Sequence, residues 1–118
     1  MVKMLIKEIK DTLKDKDLNL PLEAELWSNN NLYKTVSLWD CSNKSDCIVF
    51  PSMGKSYGNR HGVKCVSILE QPDLMNIFIK EFDNRFTVTS VKCLSDRVVL
   101  KAETDHIKEL NYEQLFSL

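Results

Sequence analysis

Pro72-Asp-Leu-Met-Asn-Ile-Phe-Ile-Lys-Glu-Phe82 is the stretch on which the fold class turns. Leu74, Ile77, Phe78 and Phe82 recur at three- and four-residue spacings, the period of one helix face. Pro72 opens the segment, and Asp73 in a first turn complements the helix dipole. The reading is a central helix, and strands on both sides of it then make the chain α+β.

Downstream, Asn84-Arg85 interrupts the pattern, and Phe86–Leu94 and Arg97–Ala102 predict a hairpin across Ser95-Asp96. The last segment carries capping signals at Thr104 or Asp105 and again at Asn111 with Gln114, so a short C-terminal helix is expected. Upstream, Val63–Leu69 has apolar residues on both faces and predicts a central strand. Cys47–Phe50 is a short buried strand ended by Pro51. The alternation across Leu32–Cys41 predicts another strand, preceded by a breaker at Ser28–Asn31. Asn19–Trp27, with Pro21 near its start, reads as a second short helix. Residues 1–16 place Val2, Leu5, Ile6, Ile9 and Leu13 on one face of an N-terminal helix. The expected fold is thus a single α+β domain spanning residues 1–118, with a largely antiparallel sheet of about five strands and N-terminal, central and C-terminal helices.

With 43% apolar and 28% charged residues, the chain has the composition of an ordered globular domain. No apolar run approaches the roughly 18 residues of a membrane span. The N-terminus breaks its apolar run after two residues and lacks a signal-peptide pattern. A cytoplasmic protein is expected, with Cys41, Cys47, Cys65 and Cys93 as reduced thiols.

The least ordinary stretch is Pro51–Gly62, PSMGKSYGNRHG, which holds all three glycines of the chain. From Asp46 to Glu70 there is no intervening carboxylate, while Lys55, Arg60 and Lys64 contribute +3. The whole chain carries −1, so the remainder carries −4. Loops of about twelve residues are uncommon and often functional.

Gly54-Lys55-Ser56 does not complete a phosphate-binding loop, because the position that pattern reserves for its first glycine is Val49. The four-residue glycine spacing also differs from a dinucleotide fingerprint. Cys41, Cys47, His61 and Cys65 are zinc-compatible donors, but five residues separate the first two, and no metal or other cofactor is expected. No serine-nucleophile motif occurs. The aromatic residues Trp27, Tyr33, Trp39 and Phe50 read as core, although Tyr33 and Trp39 on an exposed face would form an interface hot spot. Glu23 and Glu25 read as solvated.

These features predict a non-catalytic protein-binding module, an inhibitor, immunity-type or chaperone-like protein. Lys55, Arg60, His61 and Lys64 would meet an acidic partner, with Tyr57 as aromatic anchor. The alternative is an RNA binder, or a metal-independent RNase in which His61, Tyr57, Arg60 and Lys55 serve as acid, base and phosphorane-stabilising groups. The expected element order is similar to that of the small chaperones of bacterial type III secretion. That likeness implies a cytosolic protein and a possible homodimer.

Overall fold

A computed structural model describes residues 3–55 and 62–107. It contains helices α1 (Ile6–Thr12) and α2 (Val66–Leu69). Its strands are β1 (Leu22–Ser28), β2 (Asn31–Leu38), β3 (Ser42–Asn43), β4 (Cys47–Lys55), β5 (Asn76–Glu81), β6 (Asn84–Cys93) and β7 (Val98–Thr104). Six strands close into a barrel, and β3 is added beside the start of β4. Around the barrel β1, β2, β4, β5, β6 and β7 follow in chain order. The circuit closes where β7 pairs with β1 in parallel, from Leu22↔Val98 to Ser28↔Thr104. The β4–β5 pairing is also parallel, and the other four are antiparallel. The expected open α+β sheet is therefore corrected to a closed, mostly β barrel, and the likeness to secretion chaperones loses its basis.

Three segments account for the difference. The stretch from Pro72 to Phe82 forms β5 over its second half. Ile77 and Ile79 are buried, whereas Leu74 and Phe82 of the supposed helical stripe are 76% and 63% exposed. Its sequence satisfies both a 3.6-residue and a two-residue period. Hydrogen-bonded neighbours on both sides, β4 and β6, select the second. The turn that follows is Phe82-Asp83, two residues earlier than the expected break. The segment read as a second helix is β1: Leu22, Ala24 and Leu26 are fully buried on one side of the strand. The Val98 N–H donates to the Pro21 carbonyl at 2.9 Å, so a residue without an N–H sits where only an acceptor is required.

The third segment is the expected strand Val63–Leu69. Only its first two residues are strand-like: Val63 donates to the Leu38 carbonyl and accepts from the Leu22 N–H at 3.1 Å each, and Lys64 bridges Pro21. The chain then turns into α2, with Ile68 fully buried. Pro51 does not end β4, which runs on to Lys55. The Pro51 carbonyl instead takes the Trp39 N–H at 2.8 Å. The hairpin across Ser95-Asp96 and the asparagine turn after β1 form as expected. Asn29 and Asn30 adopt φ of 50° and 66°, as a two-residue hairpin with two left-handed positions needs. The expected C-terminal helix after residue 107 lies outside the described residues.

Because β1, β4, β5 and β7 run one way and β2 and β6 the other, the two barrel ends differ. One gathers the starts of four strands and carries both helices. Along α1, Ile6, Ile9 and Leu13 are fully buried, as their spacing requires, and Glu8 Oε2 accepts the Leu5 N–H at 2.9 Å at its start. Residues Met4 and Leu5 seal the seam where β6 parts from β5: the Met4 N–H donates to the Val88 carbonyl, and Leu5 bridges Asn76. The opposite end is a rim made by the ends of β1, β4, β5 and β7 and the tips of two hairpins.

The barrel interior is apolar through most of its depth, with Phe50 and Phe86 its largest fully buried side chains. Truncation of Phe50 to alanine is expected to cost about 3–5 kcal/mol, measured as a lower urea midpoint with an unchanged slope.

Candidate functional site at the barrel rim

At the rim the lining changes from apolar to polar. The β1–β2 pairing steps from Leu26↔Lys34 to Trp27↔Leu32, which leaves Tyr33 as an extra residue in β2. Such a bulge re-aims side chains. Tyr33 reaches the ring of buried Phe86, with centroids 6.3 Å apart and planes at 15°. Lys34 Nζ lies 4.9 Å from the Tyr33 ring centroid and 2.5 Å from Glu81 Oε2. Glu81 continues the inward series of Ile77 and Ile79, and it is 3% exposed. Its second oxygen, Oε1, is buried and has no hydrogen-bond partner among the described residues. Burial pulls the Lys34 ammonium down, but the hydrogen bond and charge of Glu81, with help from Tyr33, outweigh it and raise its pKa above the ordinary lysine value.

Lys34, Ser52, Met53, Glu81 and Phe82 line a cavity of about 310 Å³. A second cavity of about 360 Å³ opens on the outer wall over β3, β4 and β5. Lys44, Lys80 and Arg85 are its cations and Val49 and Pro51 are among its apolar lining. Ser52 and Phe82 belong to both, so the two adjoin across the rim. None of Lys44, Lys80 and Arg85 has an ion-pair partner among the described residues. The Arg85 guanidinium stands 4.8 Å from the Phe78 ring centroid, and Lys3 Nζ stands 5.9 Å from it.

Phe82 divides the cavities. It occupies the first position of the two-residue β5–β6 turn with φ of 52°, a left-handed conformation that hairpins reserve mainly for glycine. A bulky residue there costs about 1–2 kcal/mol. Strain held at an exposed aromatic residue between two cavities marks a place selected for something other than stability.

The wall formed by β1, β7 and the far part of β6 contrasts with this one. Arg97 Nε lies 3.2 Å from Glu23 Oε1, Lys92 Nζ 3.5 Å from Glu25 Oε2, and the Thr89 hydroxyl donates to Glu103 at 2.6 Å. Lys101 Nζ sits 4.6 Å from the Trp27 ring centroid. Glu23, expected to be solvated, is buried. The acids on this wall are matched locally, whereas the cations beside Phe82 are not.

The residues expected to bind a partner are distributed as follows. Tyr57, Arg60 and His61 lie outside the described residues. The backbone of Lys55 ends β4 opposite Val36 at the rim. Lys64 is exposed at the helix-bearing end, where it bridges Pro21. Of the aromatic residues read as core, Phe50 is fully buried, whereas Tyr33 and Trp39 are 40% and 52% exposed. All four cysteines are free thiols. Burial pushes the Cys65 thiol up to about 11 and also raises Cys41, so neither is a ready thiolate near neutrality. Among the described residues no group of three or more histidine, cysteine or carboxylate side chains could hold a metal ion.

Lys34, Lys80, Glu81, Phe82 and Arg85 were not candidates in the sequence. The available signal was the alternation from Asn76 to Glu81, which puts a carboxylate on the inward parity of an otherwise apolar strand.

Two measurements test this description of the rim. Phe82→Gly is expected to raise unfolding stability by about 0.5–1 kcal/mol by removing the left-handed strain. Because the Lys34 pKa is raised on folding, its contribution is fully present below about pH 10.5 and is lost as pH rises through the folded value. Lys34→Met is therefore expected to be less stable than the parent near neutrality, with the difference shrinking above that pH in urea titrations. Comparison of the chain with protein-family models, curated proteins and solved structures gave no match.

Proposed function

We propose that this chain is a small, non-catalytic binding module of the cytoplasm that meets an acidic partner protein through the basic wall beside Phe82. Segregation of charge carries the reading. Lys44, Lys80 and Arg85 face one cavity without an ion-pair partner among the described residues, while the acids of the opposite wall are matched by Arg97, Lys92 and Thr89. Unpaired cations on one side of a nearly neutral domain orient an anionic partner during encounter. Phe82, exposed at the β5–β6 turn, supplies the aromatic anchor that such interfaces favour. Lys55, Tyr57, Arg60 and His61 extend the proposed contact, since Lys55 ends β4 at this rim and the other three follow it closely in the chain, whereas Lys64, at the helix-bearing end, does not join it.

The non-catalytic part is supported by the groups at hand. The thiols whose shifts are resolved are held in their protonated form, and Glu81 is tied to Lys34. No helix among the described residues is long and apolar enough to cross a membrane.

Affinity capture from the native host with the parent chain, Lys80→Glu/Arg85→Glu and Tyr57→Ala/Arg60→Glu tests the proposal. The first pair is expected to weaken capture of an acidic protein by roughly tenfold or more, with a steep dependence on salt. Unchanged capture by both pairs would overturn it. Capture abolished by ribonuclease treatment would replace the protein partner with RNA.

A further inference from the structure

The acidic-partner reading leaves one group at the rim unexplained. Glu81 Oε1 is an ionisable acceptor, buried and without a donor, and its side chain lines the cavity beside Phe82. Acidic side chains carry no donor for it at neutral pH. A buried acceptor on a charged group is costly to leave unmade and is the strongest indication of a missing donor in the described structure.

We propose that the rim is a guanine-nucleotide site, with the base edge on Glu81 and Lys34, the base plane on Phe82, and the phosphate among Lys44, Lys80 and Arg85. The Lys34 ammonium and Glu81 carboxylate lie side by side, 2.5 Å apart, and present a donor next to an acceptor. The Watson–Crick edge of guanine carries the complement: the O6 acceptor beside the N1–H and N2–H donors. Its two adjacent donors suit a carboxylate better than the single donor of adenine, cytosine or uracil. Phe82 is 63% exposed and separates this cavity from the basic one, so a base stacked on it directs its phosphate away from Glu81. In the outer cavity an arginine fork and two ammonium groups, unpaired among the described residues, receive the phosphate oxygens. Cavities of about 310 and 360 Å³ accommodate a base and a phosphorylated sugar respectively.

Free nucleotide and a guanosine within single-stranded RNA share this chemistry. The site goes beyond the acidic-partner reading and does not rest on it. Nucleotide binding is measured on the isolated chain, and partner capture can fail while nucleotide binding persists.

Titration calorimetry with GMP, AMP, CMP and UMP is the primary measurement. A short oligoadenylate and the same strand with one central guanosine form the second arm. GMP is expected to bind at least tenfold tighter than the other three mononucleotides. A larger gain from guanosine within the strand than from free GMP would identify RNA as the source. Glu81→Gln is expected to erase the guanine preference, and Lys80→Glu to weaken all nucleotides about equally. Phe82→Gly, a surface change that does not disturb the core, is expected to lose at least tenfold in GMP affinity. It keeps the test decisive if Glu81→Gln fails to fold. Equal binding of the four mononucleotides, no binding of GMP or of the guanosine strand, or full GMP affinity in Phe82→Gly would each overturn the proposal.

Discussion

The parallel pairing of β7 with β1 is the constraint from which the rest of this structure follows. Seven residue pairs close the sheet, leaving β3 as the added edge strand. Closure also fixes side-chain parity around the circuit, because each strand has one inward and one outward series. Leu22, Ala24 and Leu26 face inward only because β1 is held between β2 and β7. With no second layer to cover, the helices act as plugs and seals at one end. α1 contributes Ile6, Ile9 and Leu13, and α2 contributes Ile68.

The same parity creates the site. Continued one step beyond the apolar core, the inward series of β5 arrives at Glu81, and the β2 bulge turns Lys34 to meet it. A carboxylate at 3% exposure beside an ammonium is expensive to desolvate, and an apolar pair of similar volume would serve stability at least as well. Retaining the pair at a cavity mouth, with one oxygen unmatched, is the arrangement of a recognition element. Phe82 adds a second departure from stability at the adjoining position. Strain and an unsatisfied charged group thus coincide within two consecutive residues.

The sequence was legible where local chemistry had one solution. The first helix followed from the spacing of Ile6, Ile9 and Leu13, the asparagine turn from residues that tolerate left-handed φ, and the last hairpin from alternation on both sides of Ser95-Asp96. It misled where two periods were superimposed. Pro72–Phe82 and Asn19–Trp27 both place apolar residues compatibly with helix and strand, and proline near the start of each favoured the helix. The unusual glycine composition lies in Pro51–Gly62, but the described residues put strong cationic and aromatic character just after β3, at the end of β5, in the β5–β6 turn and at the start of β6. Those residues are scattered through the chain at positions 44, 80, 82 and 85, too far apart for a composition window to detect.

By itself, the sequence determined an N-terminal amphipathic helix, a turn at the asparagines after residue 28 and the hairpin across Ser95-Asp96, since each depends on neighbours a few residues away. Only the tertiary structure decided that the sheet closes, that residues 22–28 and 76–81 are strands, and that Lys34, Glu81 and Phe82 share a rim. The physical reason is that strand pairing is a long-range interaction. A segment such as Ile77-Phe78-Ile79 can satisfy its backbone within a helix or through partners elsewhere in the chain. The partners that won, β4 and β6, are supplied by the fold as a whole.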